Sequence, residues 1–265
     1  MNNVRLCVII GLAISIRLAG AGELPTETFS HANAGWQDRD PGKMIVSQLT
    51  SGGNPGGCLR LVFPAQSVAF PDTDAAVATG QMASAQFTGD YLGAEAMMLG
   101  FDFKADHVLP SSLWIKLYSS SNVIYRDVTS HLNVLNAWQP IRVSILSSDL
   151  GGWLGDVDAF FDVVRDVVRV EFQLTRQSEI TQMYYLDNIF LDRLPEATPV
   201  APDEDGAWGL TWRNLRVGDA YRVEAAGDLA SPVWRSLGSF NAADQALELR
   251  FQSTNDVMFY RMSLD

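Results

Sequence analysis

Hydrophobic and polar positions alternate along much of this chain. Leu59, Leu61 and Phe63 share one side of the run from Cys58 to Phe63. Met97, Leu99, Phe101 and Phe103 alternate with Met98, Gly100, Asp102 and Lys104, and Leu113, Ile115 and Leu117 with Trp114, Lys116 and Tyr118. Ile141, Val143 and Ile145 follow the same rule, as do Val168, Val170, Phe172 and Leu174 against Arg169, Glu171 and Gln173. A period of two puts successive side chains on opposite faces of a sheet, so each run predicts a strand with one buried face. Polar alternates predict antiparallel pairing with the other face in water. Ser119-Ser120-Ser121-Asn122 separates two such runs and predicts a hairpin loop. The stretch from Asp158 to Asp166 departs from the pattern. Its apolar residues at 160, 161, 163 and 164 have helical spacing. They predict a short helix, capped by Asp156 or Asp158 and leading into a strand at Val167.

The segment from Leu194 to Gly206 holds three prolines and four acids. It predicts a stiff, solvated linker over 195–206. That linker divides a large module, 23–194, from a small one, 207–265. In the small module, Leu210–Trp212, Ala220–Ala225, Val233–Leu237, Leu247–Phe251 and Phe259–Ser263 read as short strands. The expected fold is all-β: a two-sheet antiparallel jelly-roll sandwich with one short helix, then a small C-terminal β-sandwich.

The first residues change the picture of where the protein works. Arg5 precedes an apolar run from Leu6 to Ile16, and Ala19-Gly20-Ala21 is a small-x-small cleavage pattern. Residues 1–21 are expected to be an export signal, because a run of eleven is too short to span a bilayer. No later stretch is apolar enough for membrane insertion, and the expected location is secreted or cell-surface. Cys7 leaves with the signal, so the mature chain keeps Cys58 alone and forms no internal disulfide. Its strand position predicts a small buried hydrophobe rather than a reactive thiol. The formal net charge is −12. Losing the two arginines of the signal makes it more negative, which argues against nucleic acid and anionic membranes as partners.

Several motifs then fall in a recognisable order: Gly35-Trp36, the turn Ser51-Gly-Gly-Asn-Pro-Gly-Gly57, Phe87-Thr-Gly-Asp-Tyr91 before Leu99-Gly-Phe-Asp-Phe-Lys104, Ala137-Trp138, and Tyr185-Leu-Asp-Asn-Ile189. Over nearly all of 27–192 the chain resembles the laminin B (laminin IV) domain of bacterial secreted proteins. The resemblance implies a galactose-binding-like jelly roll with an extracellular, non-catalytic role in matrix, adhesion or glycan contact. It also implies a structural calcium joining the first and last strands, with Glu27 and Asp187 as the matching carboxylates. Asp187 bonded to turn amides without a metal is the other reading. The small module, with Tyr221-Arg-Val-Glu224, Trp234 and Phe259-Tyr-Arg261, resembles fibronectin-III-like C-terminal modules.

Catalytic motifs are missing from the sequence. His31, His107 and His131 are isolated, no HExxH, G-x-S-x-G or E-x-D-x-E pattern occurs, and Gly52 to Gly57 reads as a tight turn rather than a phosphate loop. Asp102 and Glu171 read as ordinary solvated strand charges. The stronger candidate is a binding face. If 119–122 closes a hairpin, Lys116 faces Tyr125 and Trp114 faces Asp127. Trp114, Lys116, Tyr118, Tyr125 and Asp127 then share one side, opposite the core positions. Aromatic rings stack on the apolar faces of sugars, and polar neighbours take the hydroxyls. The alternative is that a loop or the second module covers these rings. Trp153, in the turn-like Gly151-Gly-Trp-Leu-Gly155, is a second contact candidate on a loop. Trp36, Trp138, Trp208, Trp212 and Trp234 read as core or seam residues. The sequence therefore predicts an exported, non-catalytic binding module for a glycan or surface polymer. A scaffold contacting a protein partner is the alternative, and a glycan-cleaving enzyme the third reading.

Overall fold

The computed structural model describes residues 24–30, 35–65, 73–80, 83–147, 152–201, 207–227, 232–251 and 259–264. The expected signal segment and the Trp208 side chain lie outside these. The chain forms two compact units that divide between Arg193 and Leu194.

The larger unit is a sandwich of two antiparallel sheets. The first has the order β3 (Ile45–Gly53), β4 (Gly56–Phe63), β12 (Gln182–Asp192), β6 (Met98–Ala105) and β9 (Gln139–Ser144), with β1 (Thr26–Glu27) also on β12. The second has the order β10 (Leu154–Gly155), β8 (Val123–Asp127), β7 (Ser112–Tyr118), β11 (Arg169–Thr175), β5 (Thr73–Thr79) and β2 (Gln37–Asp38). The alternating apolar positions explain the packing. Leu59, Leu61, Phe63, Phe101 and Phe103 of one sheet and Leu113, Ile115, Leu117, Phe172 and Leu174 of the other are all buried in a single core. Phe101 meets Phe172 edge-on, with ring centroids 4.7 Å apart. Trp36 packs on Phe87 and Phe172, as its core assignment requires. Each such side chain contributes about 1.5–3 kcal/mol by leaving water. Cys58 is fully buried, and burial pushes its thiol up to about 11.

The helix forms as a 3-10 turn at Val157–Ala159 followed by α1 (Phe160–Arg165), whose Phe160, Val163 and Val164 are buried. Neither expected aspartate caps it, and no side chain caps the start of either piece. The Asp156 carboxylate accepts the Val123 N–H at 2.9 Å instead, so it ties the start of the helix to the hairpin.

The turn from Gly53 to Gly57 and the Leu186-Asp187-Asn188 motif are one structural unit. A bulge interrupts β12 between Asp187 and Phe190, and Asn188 takes φ 48°, a left-handed value that asparagine tolerates. Both motifs then meet. The Asn54 N–H donates to Asp187 Oδ2, and the Asn188 amide donates to the Asn54 carbonyl and to Asp102 Oδ2. A Cβ on Gly53 would lie 1.7 Å from the Gly57 carbonyl oxygen and 2.5 Å from Asp187 Oδ2, so only glycine fits there.

The smaller unit stacks its strands in two three-stranded sheets. These are β13 (Glu196–Val200), β14 (Trp208–Arg213) and β17 (Ala246–Phe251), and β16 (Arg235–Asn241), β15 (Ala220–Ala226) and β18 (Phe259–Leu264). Leu210, Trp212, Leu215 and Tyr221 are buried between them. The first part of the Pro/acid-rich segment differs from the linker expected of it. Residues 196–200 pair with β14 as an edge strand, a position that tolerates proline, and Ala197 is buried. The acidic part, 202–206, lies outside the described residues.

Candidate functional site

The hairpin forms in the expected register. Trp114 faces Asp127, Lys116 faces Tyr125 and Tyr118 faces Val123. Leu113, Ile115 and Leu117 point into the core, so the intervening residues stand on the outer face of the second sheet. Trp114, Lys116, Tyr118 and Tyr125 are half-buried there, and Asp127 is exposed. The Trp114 and Tyr125 rings stack with centroids 5.0 Å apart and planes at 23°. The Lys116 ammonium lies 5.8 Å from both centroids. Partial burial holds its pKa below the usual lysine range, and Arg39 and Arg169 act in the same direction against the pull of Glu171.

β11 extends this face. Across from β7, Gln173 stands opposite Trp114, Glu171 opposite Lys116 and Arg169 opposite Tyr118. Glu171 is fully buried, contrary to its reading as a solvated strand charge. Its neighbours explain why a buried charge is tolerated there. Tyr118 donates to Glu171 Oε2 at 3.0 Å, Arg39 Nη1 stands 3.6 Å from the same oxygen, and Arg169 Nε lies 3.2 Å from Oε1. The Arg169 contact is off hydrogen-bonding direction, so its attraction is electrostatic rather than directional. The Arg169 guanidinium sits 3.8 Å from the Tyr118 ring centroid, and Arg39 also donates to Gln173 at 3.1 Å. Beyond Tyr118 and Arg169 the face runs into a hollow of about 950 Å³ walled by the 119–122 loop, Thr79 and Thr88. The aromatic stack thus adjoins an ordered polar cluster and an open hollow.

Arg39, Arg169, Glu171 and Gln173 are the residues of this face that the sequence reading left out. The alternation in the 168–174 run marks three of them as outward-facing. Which strand lies beside β7 is a long-range fact that the pattern does not carry.

Other predicted residues stand differently. Trp153 is buried, not exposed on a loop: only 3% of it is accessible, its indole donates to the Ser144 carbonyl at 2.8 Å, and it packs on Phe160. Its apolar bulk fills the space over the short helix, so it cannot touch a ligand. Asp127 spends Oδ1 on the Thr129 N–H and hydroxyl, which set up the turn at Thr129–His131. Asp102 is buried too, and it lies in the first sheet, so it forms no pair with Glu171. Trp138 and Trp234 are half-buried at the surface and Trp212 is buried.

Glu27 and Asp187 come close along the β1–β12 pair, where Glu27 stands opposite Ile189. Both Asp187 oxygens accept backbone N–H groups, from Asn54 and from Asn188, and Glu27 Oε1 accepts the Phe29 N–H at 2.7 Å. Burial pushes the Asp187 carboxyl up to about 6, opposed by its two amide donors and aided by Asp102 and Glu27. Calcium takes six to eight oxygens. Among the described residues no group of three His, Cys, Asp or Glu side chains is arranged to hold a metal. As placed, both carboxylates accept hydrogen bonds from backbone N–H groups of the adjoining turns.

No protein-family model matches the chain. No curated protein matches it either. Among solved structures, it is similar to the family 30 carbohydrate-binding module, at 14% identity over 65% of this chain and 89% of that one, TM-score 0.47. It is also similar to the family 11 carbohydrate-binding module of a cellulosomal cellulase of Clostridium thermocellum, at 12% identity over 65% and 95%, TM-score 0.42. An exo-β-agarase matches at 10% identity and TM-score 0.48, and this chain spans 25% of its length.

Proposed function

We propose that this chain is an exported, non-catalytic saccharide-binding protein whose contact surface is the outer face of the second sheet. The observation that carries the reading is the Trp114–Tyr125 stack, half-buried on a sheet face with Lys116 beside it. Aromatic rings on a sheet face offer apolar surface to the CH groups of a sugar, and adjacent polar groups take hydroxyls. The Tyr118–Glu171–Arg169–Arg39 cluster holds the neighbouring side chains in place before any ligand arrives. Preorganisation of this kind lowers the entropy lost on binding. Glu171 is committed to ion pairs and to Tyr118, so its role is to hold the face rather than to transfer protons. A shallow platform binds weakly as a single copy, and several copies on one polymer raise the avidity.

The test is a screen of the mature chain, 22–265, and its Trp114→Ala variant against neutral oligosaccharides and polysaccharides. Binding that falls roughly tenfold or more in the variant, about 1.4 kcal/mol, supports the reading. Binding equal in the two proteins moves the site away from this face, and a screen with no binder favours a scaffold with a protein partner.

A further inference from the structure

The opposite sheet carries a second row of the same kind of side chains. Successive pairings across the first sheet put Ser47, Arg60, Tyr185 and Lys104 in line, and Trp138, one residue before β9, continues it. Leu59, Leu61, Tyr184, Leu186 and Phe103 point into the core on either side of these positions, so the row faces outward. All five residues are half-buried. The Lys104 ammonium lies 4.4 Å from the Tyr185 ring centroid and 5.2 Å from that of Trp138, and the two rings meet edge-on at 6.5 Å. Tyr185 donates to Asp106 at 2.7 Å, which fixes its ring.

The charges differ from those of the first face. Arg60 donates to the neutral Ser47 hydroxyl at 3.2 Å, and among the described residues no carboxylate pairs with it. Lys104 has one carboxylate, Asp106, at 4.0 Å. The carboxylates in the adjoining row are taken. Asp102 pairs with Arg142 at 3.5 Å and accepts from Asn54 and Asn188, and Asp187 accepts the two turn amides. Two cations thus stand against one accessible acid, within a chain whose net charge is −12.

We infer that this row is a second contact face, separate from the Trp114 platform, and that its ligand is an anionic saccharide. Trp138 and Tyr185 take the sugar's apolar surface, and Arg60 and Lys104 take its carboxylate or sulfate groups. A chain with two such faces on opposite sheets can bridge two polysaccharide strands.

The test measures binding of the mature chain to polygalacturonate, to a sulfated galactan and to the neutral saccharide found by the screen above. It uses wild type, Arg60→Gln, Trp138→Ala and Trp114→Ala, each checked for folding by its melting temperature. The expected result is that Arg60→Gln and Trp138→Ala weaken binding to an anionic polysaccharide roughly fivefold or more. Trp114→Ala leaves that binding intact. Which polymer responds tells carboxylate from sulfate. Arg60→Gln is at a half-buried surface position and reports even if Trp138→Ala fails to fold. Failure of both anionic polymers to bind overturns the inference, as does binding that Arg60→Gln leaves unchanged. Either outcome is independent of the Trp114 result.

Discussion

Trp114 and Tyr125 stack although they are not directly opposite in the hairpin. Trp114 pairs with Asp127 and Tyr125 with Lys116, so the rings meet on the diagonal, 5.0 Å apart. Lys116 stands beside both rings, so the three residues form one contiguous platform on the outer face of an ordinary antiparallel pair.

Gly155 holds one side of that platform. It lies in β10 opposite Ile124, the neighbour of Tyr125, with φ 90°, and a Cβ there would lie 2.9 Å from the Tyr125 ring and 2.7 Å from the Val123 carbonyl. Gly155→Ala is expected to turn the Tyr125 ring and strain the backbone, at a cost of about 1–3 kcal/mol. Urea unfolding reads the stability, and near-ultraviolet circular dichroism reads the loss of the stacked pair. A variant with wild-type stability and spectrum would show that the close approach is not needed.

Glu171 is the keystone of the neighbouring cluster. Glu171→Gln preserves size and an acceptor for Tyr118 but leaves Arg39 and Arg169 facing a neutral group. Both arginines are partly exposed, so solvent screens the loss, and the expected destabilisation is about 1–3 kcal/mol. Denaturant midpoints at pH 7 measure it. An unchanged midpoint would mean the ion pairs add nothing to the fold.

Asp187 gives the larger unit a pH signature. Its folded carboxyl is raised to about 6 from an ordinary 3.8, so the folded state binds the proton more tightly than the unfolded chain. This contribution is complete below about pH 3.8 and is lost as pH rises through about 6. Between those limits, stability from this group falls as pH rises. Asp187→Asn is expected to be less stable at every pH, because a carboxamide cannot accept both amides, and to lack that downward slope. Urea midpoints from pH 4 to pH 7 compare the two slopes. Parallel curves would contradict the assignment.

Cys58 is fully buried and its thiol is pushed up to about 11. Thiolates are the reactive form, so a disulfide reagent at pH 7.5 is expected to label the native protein only on the timescale of opening. Labelling that is complete within seconds in the absence of denaturant would place the thiol at the surface.

Much of the larger unit was legible because it rests on local pattern. The period of two in 99–103, 113–117 and 170–174 identified the core positions, although Val168, which continues the same alternation, is exposed before β11 begins and Met98 and Asp102 on the other face of β6 are buried. The 119–122 loop set a hairpin register that the structure reproduces. Laminin B likeness, by contrast, finds no matching family model. What the pattern missed depends on long-range neighbours. Glu171 looks like any outward strand acid until β11 is placed beside β7, and Arg39 reaches it from a distant segment. Trp153 was misplaced because glycines around a tryptophan suggest an exposed turn, whereas here they let the chain bend so that the indole enters the core. Residues 196–200 read as linker because proline and acids suggest solvent, yet an edge strand accepts both.

The most direct measurement is a map of backbone amide shifts of residues 22–265 as a neutral oligosaccharide is titrated in. A saccharide held on the Trp114 face is expected to shift Ser112–Tyr118, Val123–Asp127 and Arg169–Thr175 most, with the Trp114 indole N–H among them, and to leave the surroundings of Trp153 still. Shifts confined to other strands, or to the smaller unit, would contradict it.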